Sequence, residues 1–572
     1  MTLRLAPAAR AASFAAALAA TAAALPATVH AAQSDGVLAA PQRDDYRRAL
    51  RAIEAGDWTG AQALLDAMSA GPLHAYLKAE LYLAAGSPRV EADQLLALAR
   101  SAPDLPQAAQ LTRLATMRGA LDLPVLPAEQ RLIWQDGSPR RERARPVEGD
   151  PASDALRAEA EPLIKADAAM ALEALVTSRE GSLTPEALTE WRQKVAWTHY
   201  TVGDDGAARR VALLARGGSG PWAVAGEWVL GLASWRQKDC RAAADAFERV
   251  AGRARDDDMR AAGHFWAARS HIACREPAKV EPALRAASAY NETFYGLLAA
   301  SQLGIRAKPL PGVPGIAAPS DKPNLRAAAA LVEIGEAERA DRLIRHQARI
   351  GRRDEHAGLI HMAGRLNLPA TQYWLAHNAP AGATVAADAR YPLPAYAPTR
   401  GWRVDPALVF AHTLQESSFR AAVVSPAGAT GLMQVRPGTA GDIARARGEA
   451  FSPAVLRDPA ANIEFGQTYL EQLRDKSATG GLLPKIIAAY NAGDQPIARW
   501  EGSVRYNNDP LLYIESIPYW ETRGYVPTVL RNYWVYSAKG GEEAPSLKEL
   551  ARGKWPKLPA PPRRVSGTAA SR

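Results

Sequence analysis

Apolar and polar positions follow a helical period along most of this chain. Between residues 33 and 306, Ala and Leu recur three and four positions apart with Arg among them, and strand-like alternation is nearly absent. The same pattern continues from 324 to about 378 and again after Asp405. We therefore expect a mainly all-α fold.

A repeat is visible within the first helical stretch. Turn segments that begin at Asp205, Asp239 and Ala273 lie 34 residues apart, and Ala55 to Trp58 forms a similar turn far upstream. A helix–turn–helix unit of this length is similar to the tetratricopeptide class, although its full consensus is absent. Such units bury their apolar faces only against neighbouring units, so we expect a curved superhelix.

Proline-rich segments divide the chain. Five prolines between Lys308 and Pro323 preclude a helix, and three more between Arg390 and Arg400 mark a second connector. The Arg-rich segment 137–151 is predicted to be a long exposed loop. The predicted parts are a signal peptide (1–31), an α-superhelical repeat domain (32–307), a small helical linker domain (324–387), a C-terminal domain (388–540) and a basic, Pro-containing, disordered tail (541–572).

The first 31 residues have the features of a secretory signal. Arg4 and Arg10 precede an apolar stretch that ends near Leu25, and small residues precede a cut after Ala31. A membrane anchor is the alternative, but the stretch is shorter than the roughly 20 residues that span a bilayer. We expect cleavage near Ala31, export to the periplasm and a mature chain without an integral membrane segment.

Charge and cysteine content narrow the class of protein. Lys and Arg number 69 against 60 Asp and Glu, a formal charge of +9 that favours anionic partners in general. No basic run is long enough to indicate nucleic acid, and a GC-rich genome also produces an Arg-rich, Ala-rich composition. The two cysteines, Cys240 and Cys274, are expected to form a disulfide after export, and no metal site is predicted.

Candidate chemistry begins at Glu416. Asp405 and Pro406 open an apolar helix, and Glu416 stands in its last turn. The negative end of the helix dipole disfavours an ionised carboxylate there, so a half-buried Glu416 would have the raised pKa that a general acid needs. A last-turn Glu is more often a solvated side chain, so this position alone is a weak indication.

Four short motifs that follow in order strengthen it: Gln415-Glu416-Ser417, Gly431-Leu432-Met433-Gln434, Ala489-Tyr490-Asn491-Ala492-Gly493, and Ile517-Pro518 followed by Glu521-Thr522-Arg523-Gly524-Tyr525-Val526. Together they are specific, and this ordered set resembles the soluble lytic transglycosylase family, whose catalytic domain has a goose-type lysozyme fold. The segment Phe294 to Ala299 resembles a further family segment. Arg436 departs from the family pattern, which often has an apolar side chain there.

The resemblance implies roles for individual residues. Glu416 would be the single catalytic acid/base. The residues that bind substrate would be Ser425, Gln434, Tyr490 and Glu521, which line the groove, with Met433 and Asn491 as supporting neighbours. Structural alternatives stay open for several of them. Ser425 could only shape a turn, Tyr490 could be a core aromatic, and Glu521 could be a helix N-terminal acid with Glu515 as the competitor for its role.

The resemblance also implies a reaction. Ordinary glycosidases use two carboxylates, but the chain has no Asp or Glu from Ser417 to Gly441. A single Glu suffices if the N-acetyl group of MurNAc attacks the anomeric carbon, which gives a 1,6-anhydro product without a metal or cofactor. We expect a lyase acting on peptidoglycan, with cell-wall synthesis proteins as possible further partners. The alternatives are a hydrolytic muramidase and an inactive wall-binding scaffold.

Overall fold

The computed structural model describes residues 36–312 and 321–561. The predicted signal peptide and the last part of the predicted tail lie outside these residues. Within them the chain forms 26 α-helices, four short 3-10 turns and one pair of two-residue strands. The all-α prediction is therefore confirmed.

The first five helices precede a long irregular stretch: α1 Ala40–Ala55, α2 Trp58–Ala67, α3 His74–Leu83, α4 Ala92–Ser101 and α5 Ala108–Met117. Nine helices follow strand β1 Ile133–Trp134 and form the superhelix: α6 Pro151–Lys165, α7 Ala169–Arg179, α8 Pro185–Val202, α9 Asp205–Ala215, α10 Gly220–Arg236, α11 Cys240–Arg253, α12 Asp257–Ala273, α13 Pro277–Ser288 and α14 Phe294–Gln302.

Four helices and strand β2 occupy the predicted linker: α15 Pro323–Glu333, α16 Ala337–Ile350, α17 His356–Arg365, α18 Pro369–His377 and β2 Asn378–Ala379. The C-terminal part contains α19 Pro406–Ser417, α20 Pro437–Ala446, α21 Pro459–Arg474, α22 Leu483–Ala492, α23 Asp494–Ser503, α24 Pro510–Ser516, α25 Trp520–Lys539 and α26 Pro545–Ala551.

Aspartates begin the second helix of the repeated pairs. Asp204 and Asp239 cap α9 and α11, each accepting a hydrogen bond from the backbone N–H three residues on, which satisfies an otherwise unpaired donor. The second helices of three successive pairs begin at Asp205, Cys240 and Pro277. The structural interval is therefore 35 and then 37 residues, slightly longer than the 34-residue sequence period.

Cys240 and Cys274 form a disulfide in the structure, with their Cα atoms 5.5 Å apart. Cys240 is the first residue of α11, and Cys274 follows the last residue of α12. These two helices are adjacent and run in opposite directions, so the start of one meets the end of the other. This end-to-end meeting brings the cysteines closer than the 8–10 Å that usually separates packed helix axes.

The linker domain is not an independent unit. Its buried residues form one apolar core with those of α1 to α5, and Arg339 of α16 pairs with Glu54 and Glu80 at 2.9 and 2.6 Å. Strand β1 also pairs antiparallel with β2, Ile133 opposite Ala379. The predicted boundary at 307 therefore separates segments that share a core, because four short helices alone bury too little apolar surface.

The superhelix and the C-terminal part share a second apolar core. Phe294 stacks on Trp534 at 5.1 Å between ring centroids, so the family-like segment at 294–299 lies at this interface. The prediction of a disordered tail is wrong for residues 541–561. Helix α26 packs on α14 with Leu547 and Leu550 buried, because its apolar residues recur at helical spacing.

The predicted loop at 137–151 is irregular up to residue 150, but it is only partly exposed. It runs between the superhelix and the C-terminal part, where Arg141 pairs with Glu515 at 2.7 Å and with Asp258 at 3.4 Å. The Arg531 guanidinium donates to the Pro139 carbonyl at 2.5 Å. Its Arg-rich composition reflects pairing with buried carboxylates as well as exposure to solvent.

No helix within 36–312 or 321–561 combines the length and the apolar character that a membrane span requires.

Candidate active site

Helix α19 places Glu416 one residue before its end. Asp405 caps the helix by accepting from the Ala407 N–H at 2.9 Å, and the Ser417 hydroxyl donates to the Leu432 carbonyl at 2.7 Å. The helix stops abruptly because Ser418 and Phe419 adopt positive φ angles of 51° and 63°. Glu416 is thereby held at the edge of the core, half-buried and next to the Gly431–Gln434 loop.

The Glu416 carboxyl has the properties of a general acid. Burial raises its pKa to about 7, the Tyr525 hydroxyl opposes the rise by donating to Oε1 at 2.5 Å, and the negative charge of Glu521 adds to it. Removal of water from a carboxylate disfavours its charged form. Glu416 can therefore be protonated near neutral pH and still be fixed in orientation by Tyr525.

His412 stabilises the hydrogen bond between Tyr525 and Glu416. It lies one helical turn before Glu416 on the same face of α19, and its Nδ1 is 2.9 Å from the Tyr525 hydroxyl. Because Tyr525 donates to Glu416, its oxygen accepts from His412, which places the imidazole proton on Nδ1. Complete burial lowers the His412 pKa to about 3, so the ring is neutral.

Sequence reasoning did not select His412 or Tyr525 as site residues. Tyr525 belongs to the fourth motif and lies four residues after Glu521, a spacing that places both on one face of a helix. His412 stands four residues before Glu416. These spacings were the available signals, but neither indicates which partner a buried hydroxyl or imidazole contacts.

The Gly431–Gln434 loop has little freedom. A Cβ at Gly431 would lie 2.2 Å from the Leu456 carbonyl oxygen and the Asn462 amide, and its φ is 81°. The Gln434 side-chain amide donates to the carbonyls of Gly431 at 2.9 Å and Val423 at 3.2 Å. These bonds use the Gln434 nitrogen, so its Oε1 is the atom left to accept from a ligand.

Met433 and Ser425 have internal roles in the structure. The Met433 side chain is buried against Gly466, and its backbone N–H donates to Asn462 Oδ1 at 2.8 Å. The Ser425 hydroxyl accepts from the Ala429 N–H at 3.0 Å. Two backbone hydrogen bonds close the same turn, from the Ser425 N–H to the Ala429 carbonyl and from the Gly428 N–H to the Ser425 carbonyl. Met433 can therefore contribute to binding only through the shape of the groove, whereas the Ser425 hydroxyl still has its O–H to donate to a ligand.

Tyr490 supports both the loop and the site. Its hydroxyl donates to the Met433 carbonyl at 2.8 Å, and its ring packs on His412 and Tyr469 at centroid distances of 4.7 and 5.4 Å. The negative charge of Glu416 helps to raise the Tyr490 pKa, after burial as the main cause. Tyr490 is thus close to the acid while its hydroxyl is already occupied.

Glu521 and Asn491 form the opposite side of the site. Glu521 is exposed in the first turn of α25, and the Asn491 amide donates to its Oε1 at 3.4 Å. The Thr522 hydroxyl donates to Asn491 Oδ1 at 2.6 Å. Glu515, by contrast, is buried against Arg141 and accepts from Tyr295 at 2.7 Å, so it lies at the domain interface and outside the groove.

A cavity of about 740 Å³ adjoins this site. Of the site residues predicted from the sequence, only Glu521 lines it, together with Gln415, Tyr525 and part of segment 135–150. Arg436 lies apart, exposed at the start of α20. In the described part of the chain, no group of three or more His, Cys, Asp or Glu side chains could hold a metal ion. The site consists of one raised-pKa carboxyl, supporting hydroxyls and amides, and a second, exposed carboxylate.

Comparison with known proteins agrees with the first three of the four motifs. The family model described as "Transglycosylase SLT domain" matches residues 395–511, so Glu521 and Tyr525 lie just beyond the matched range. The soluble lytic murein transglycosylase of Escherichia coli (strain K12) is 37% identical over 134 residues, which cover 23% of this chain and 20% of that protein. The chain therefore matches about a fifth of that relative's length.

Two further relatives extend the comparison. The membrane-bound lytic murein transglycosylase C of Actinobacillus succinogenes is 33% identical over 153 residues, 24% of this chain and 41% of that protein. The crystal structure of the 70-kDa soluble lytic transglycosylase of E. coli aligns with a TM-score of 0.55 and 17% identity, over 91% of this chain and 99% of that one. At this identity the alignment shows a common fold. The resemblance to the soluble lytic transglycosylase family is confirmed.

Proposed function

We propose that this chain is an exported lytic transglycosylase that cleaves the MurNAc–GlcNAc bond of peptidoglycan. The observation that carries the proposal is the Glu416 carboxyl, whose pKa burial raises to about 7 and whose hydrogen-bond partner Tyr525 lines the adjoining cavity. A carboxyl that is protonated near neutral pH can protonate a glycosidic oxygen. The matched domain and the relatives named as lytic murein transglycosylases support the same substrate.

The proposed reaction needs one acid/base. Protonated Glu416 gives its proton to the leaving glycosidic oxygen while the N-acetyl oxygen of MurNAc attacks the anomeric carbon and the C–O bond breaks. The resulting Glu416 carboxylate then takes the proton of the 6-hydroxyl, whose oxygen bonds to the anomeric carbon. The bond between that carbon and the N-acetyl oxygen breaks, which restores the N-acetyl group. The product end is 1,6-anhydro-MurNAc, and Glu416 is protonated again.

Supporting residues keep this acid in position. Tyr525 donates to Glu416 Oε1, and neutral His412 fixes the Tyr525 hydroxyl without adding a charge. Gln434 Oε1 and the Asn491–Glu521 pair are the polar groups available to orient sugar hydroxyls and amides. Ser425 and Met433 support the shape of the groove wall.

The role of Glu521 decides between one and two carboxylates. It is near enough for its charge to raise the Glu416 pKa, so a classical glycosidase pair is the mechanistic rival. A Glu521 nucleophile or base would be as indispensable as the acid. In the single-acid mechanism, Glu521→Gln lowers turnover far less than Glu416→Gln does.

The direct test compares Glu416→Gln with wild type on purified sacculi, with products analysed by mass spectrometry. Gln has the shape of Glu but cannot donate the proton, so cleavage should fall by at least a thousandfold, about 4 kcal/mol of barrier. Circular dichroism checks that the variant is folded. Turnover within about tenfold of wild type would exclude Glu416 as the acid.

The same products separate the two alternatives. A muramidase releases a reducing MurNAc end, whereas the proposed reaction releases an anhydro end that is lighter by one water. An inactive scaffold releases neither from wild type. Periplasmic location and contacts with cell-wall synthesis proteins are further parts of the proposal, and detection of the protein in a periplasmic extract, cut after Ala31, tests the first of them.

A further inference from the structure

A second cavity, of about 1080 Å³, opens between the superhelix and the C-terminal part. Its walls come from segment 135–150, from helices α6, α8 and α10, and from the start of α25. None of the site residues predicted from the sequence lines it. It is larger than the cavity beside Glu416.

Positive charge exceeds negative charge on these walls. Eight Arg and Lys residues line the cavity against three carboxylates. Three of the cations have carboxylate partners, since Arg141 pairs with Glu515, and Arg157 and Lys194 share Glu190. Across the described ranges, the other five have no carboxylate within ion-pair distance: Arg143, Arg145, Arg253, Arg255 and Arg523.

The three acidic groups do little to balance these cations. Glu161 is already paired with Lys165 at 2.7 Å. Asp256 accepts the Met259 N–H at 2.7 Å as a helix cap. Only Glu142 remains as an exposed carboxylate. An anionic ligand would therefore meet an excess of guanidinium groups.

Arg523 lies between two indole rings. Its guanidinium lies 4.0 Å from the Trp197 ring centre and 5.2 Å from that of Trp520, and it donates to the Ile517 carbonyl at 2.8 Å. Removal of water by these walls lowers its pKa to about 10, so it is still charged at neutral pH. A guanidinium has five N–H donors in a planar fork, which suits a carboxylate.

Flat aromatic surfaces accompany the charges. Five tryptophans line the same cavity: Trp191, Trp197, Trp222, Trp228 and Trp520. Of these, Trp197, Trp222 and Trp520 are partly exposed. Partly exposed indole faces pack against the apolar faces of sugar rings and of peptide side chains. The cavity therefore suits an extended ligand with carboxylates rather than a small inorganic anion.

The cavity is continuous with the active-site groove. Six residues line both: Arg141, Glu142, Arg255, Asp256, Trp520 and Arg523. The groove side of this common wall continues to Glu521 and Tyr525, which contact or influence Glu416. The two cavities together therefore connect the Arg-lined walls to Tyr525, the side chain that contacts Glu416.

We propose that this Arg–Trp cavity binds the carboxylate-bearing peptide stems of a glycan strand whose sugar backbone lies in the Glu416 groove. This inference rests on the proposed function, because it assigns a second recognition element for the same substrate. The cavity selects strands that carry acidic stems over bare glycan, and it acts through binding rather than through the chemical step.

The test uses the full chain and two soluble substrates, glycan oligomers that carry peptide stems and the same oligomers stripped of stems by an amidase. The variant is Arg143→Gln/Arg145→Gln, whose side chains are both exposed, unpaired and outside the wall shared with the cavity next to Glu416, so folding and that cavity are not at risk. The matched control is Arg51→Gln/Arg113→Gln, which removes two exposed arginines from α1 and α5, outside the cavity. Steady-state kinetics and calorimetric binding are measured at low salt.

We expect the cavity variant to raise KM and Kd for stem-bearing oligomers about tenfold, with kcat unchanged, while values for stripped oligomers stay the same. The control variant should match wild type on both. Equal effects of the cavity variant on the two substrates, or no effect on either, would overturn the inference. If wild type binds stem-bearing oligomers through these arginines but cleaves neither substrate, the proposed function fails and the cavity assignment stands.

Discussion

The pKa of Glu416 sets the expected pH dependence of the reaction. The raised value of about 7 means that the carboxyl is protonated below neutral pH and ionised above it. Since the first step needs the proton, kcat/KM should be constant below pH 6 and fall about tenfold per unit above pH 7. Rates on a soluble glycan from pH 5 to 9 measure this limb. A fall in kcat/KM that begins near pH 4.5, the ordinary pKa of Glu, would contradict the assignment.

Tyr525 is expected to control the position of that limb. Its hydrogen bond to Glu416 lowers the carboxyl pKa, so Tyr525→Phe should move the limb to higher pH while cutting the rate about 10–100-fold through lost orientation. Tyr490→Phe is the matched control, because its hydroxyl donates to the Met433 carbonyl instead. If kcat/KM falls at the same pH in both variants, Tyr525 does not act on the Glu416 proton.

The buried carboxyl also carries a cost in stability. Its pKa is raised in the folded state, so folding is disfavoured progressively as pH rises from the unfolded value near 4.5 through about 7. Glu416→Gln removes that cost and should stabilise the protein by about 1–3 kcal/mol at pH 8 but hardly at pH 5. Denaturant unfolding at the two pH values measures it. Equal stability of variant and wild type at pH 8 would indicate a solvated carboxylate.

At the scale of elements, the disulfide joins the start of α11 to the end of α12 and closes a loop of 34 residues. Loop closure restricts the unfolded chain, so Cys240→Ser/Cys274→Ser should lose about 3–4 kcal/mol. Denaturant unfolding with and without reductant measures the loss, and wild type after reduction is the control. Two alkylatable thiols in protein folded under oxidising conditions would rule the bond out.

Segment 135–150 is the element that most alters the picture of this protein. Arg141 lies between Glu515, whose side chain is 1% exposed, and Asp258. Arg141→Met would leave Glu515 buried without its cation, at a cost of about 3–5 kcal/mol. Adding Glu515→Gln should restore part of the loss. An additive double variant in thermal unfolding would mean that the two residues are not coupled.

At the scale of the whole molecule, the C-terminal part depends on the segment after residue 540. The Leu483 N–H donates to the Pro556 carbonyl at 2.7 Å, and the Asp405 N–H donates to the Pro559 carbonyl at 3.2 Å. A fragment of residues 388–561 should therefore fold better than 388–540. Proton exchange and thermal unfolding of the two fragments compare them.

The fragment also isolates the contribution of the superhelix. We expect 388–561 to cleave short glycans but to lose most of its activity on intact sacculi, with the largest loss at low salt, because the Arg side chains of the superhelix are absent. The full chain is the reference at each ionic strength. Equal activity of fragment and full chain on sacculi at low salt would show that the superhelix is only architectural.

Local patterns determined much of this protein without any tertiary information. Helical spacing of Ala and Leu predicted the all-α fold, because amphipathic periodicity is written within each element. The helix opened by Asp405 and the last-turn place of Glu416 also follow from short-range capping rules. The ordered motifs indicated the family because each is a contiguous string.

Contacts between distant segments were decided only by the tertiary structure. The Tyr525–Glu416 bond joins residues 109 positions apart, and segment 135–150 meets Glu515 across 374 positions. From composition alone, such residues are interpreted as surface arginines or motif tyrosines, since a side chain's identity does not specify its partner. The shared core of α1 to α5 with the linker, the packed helix α26 and the Arg–Trp cavity all arise from how completed helices bury their remaining faces.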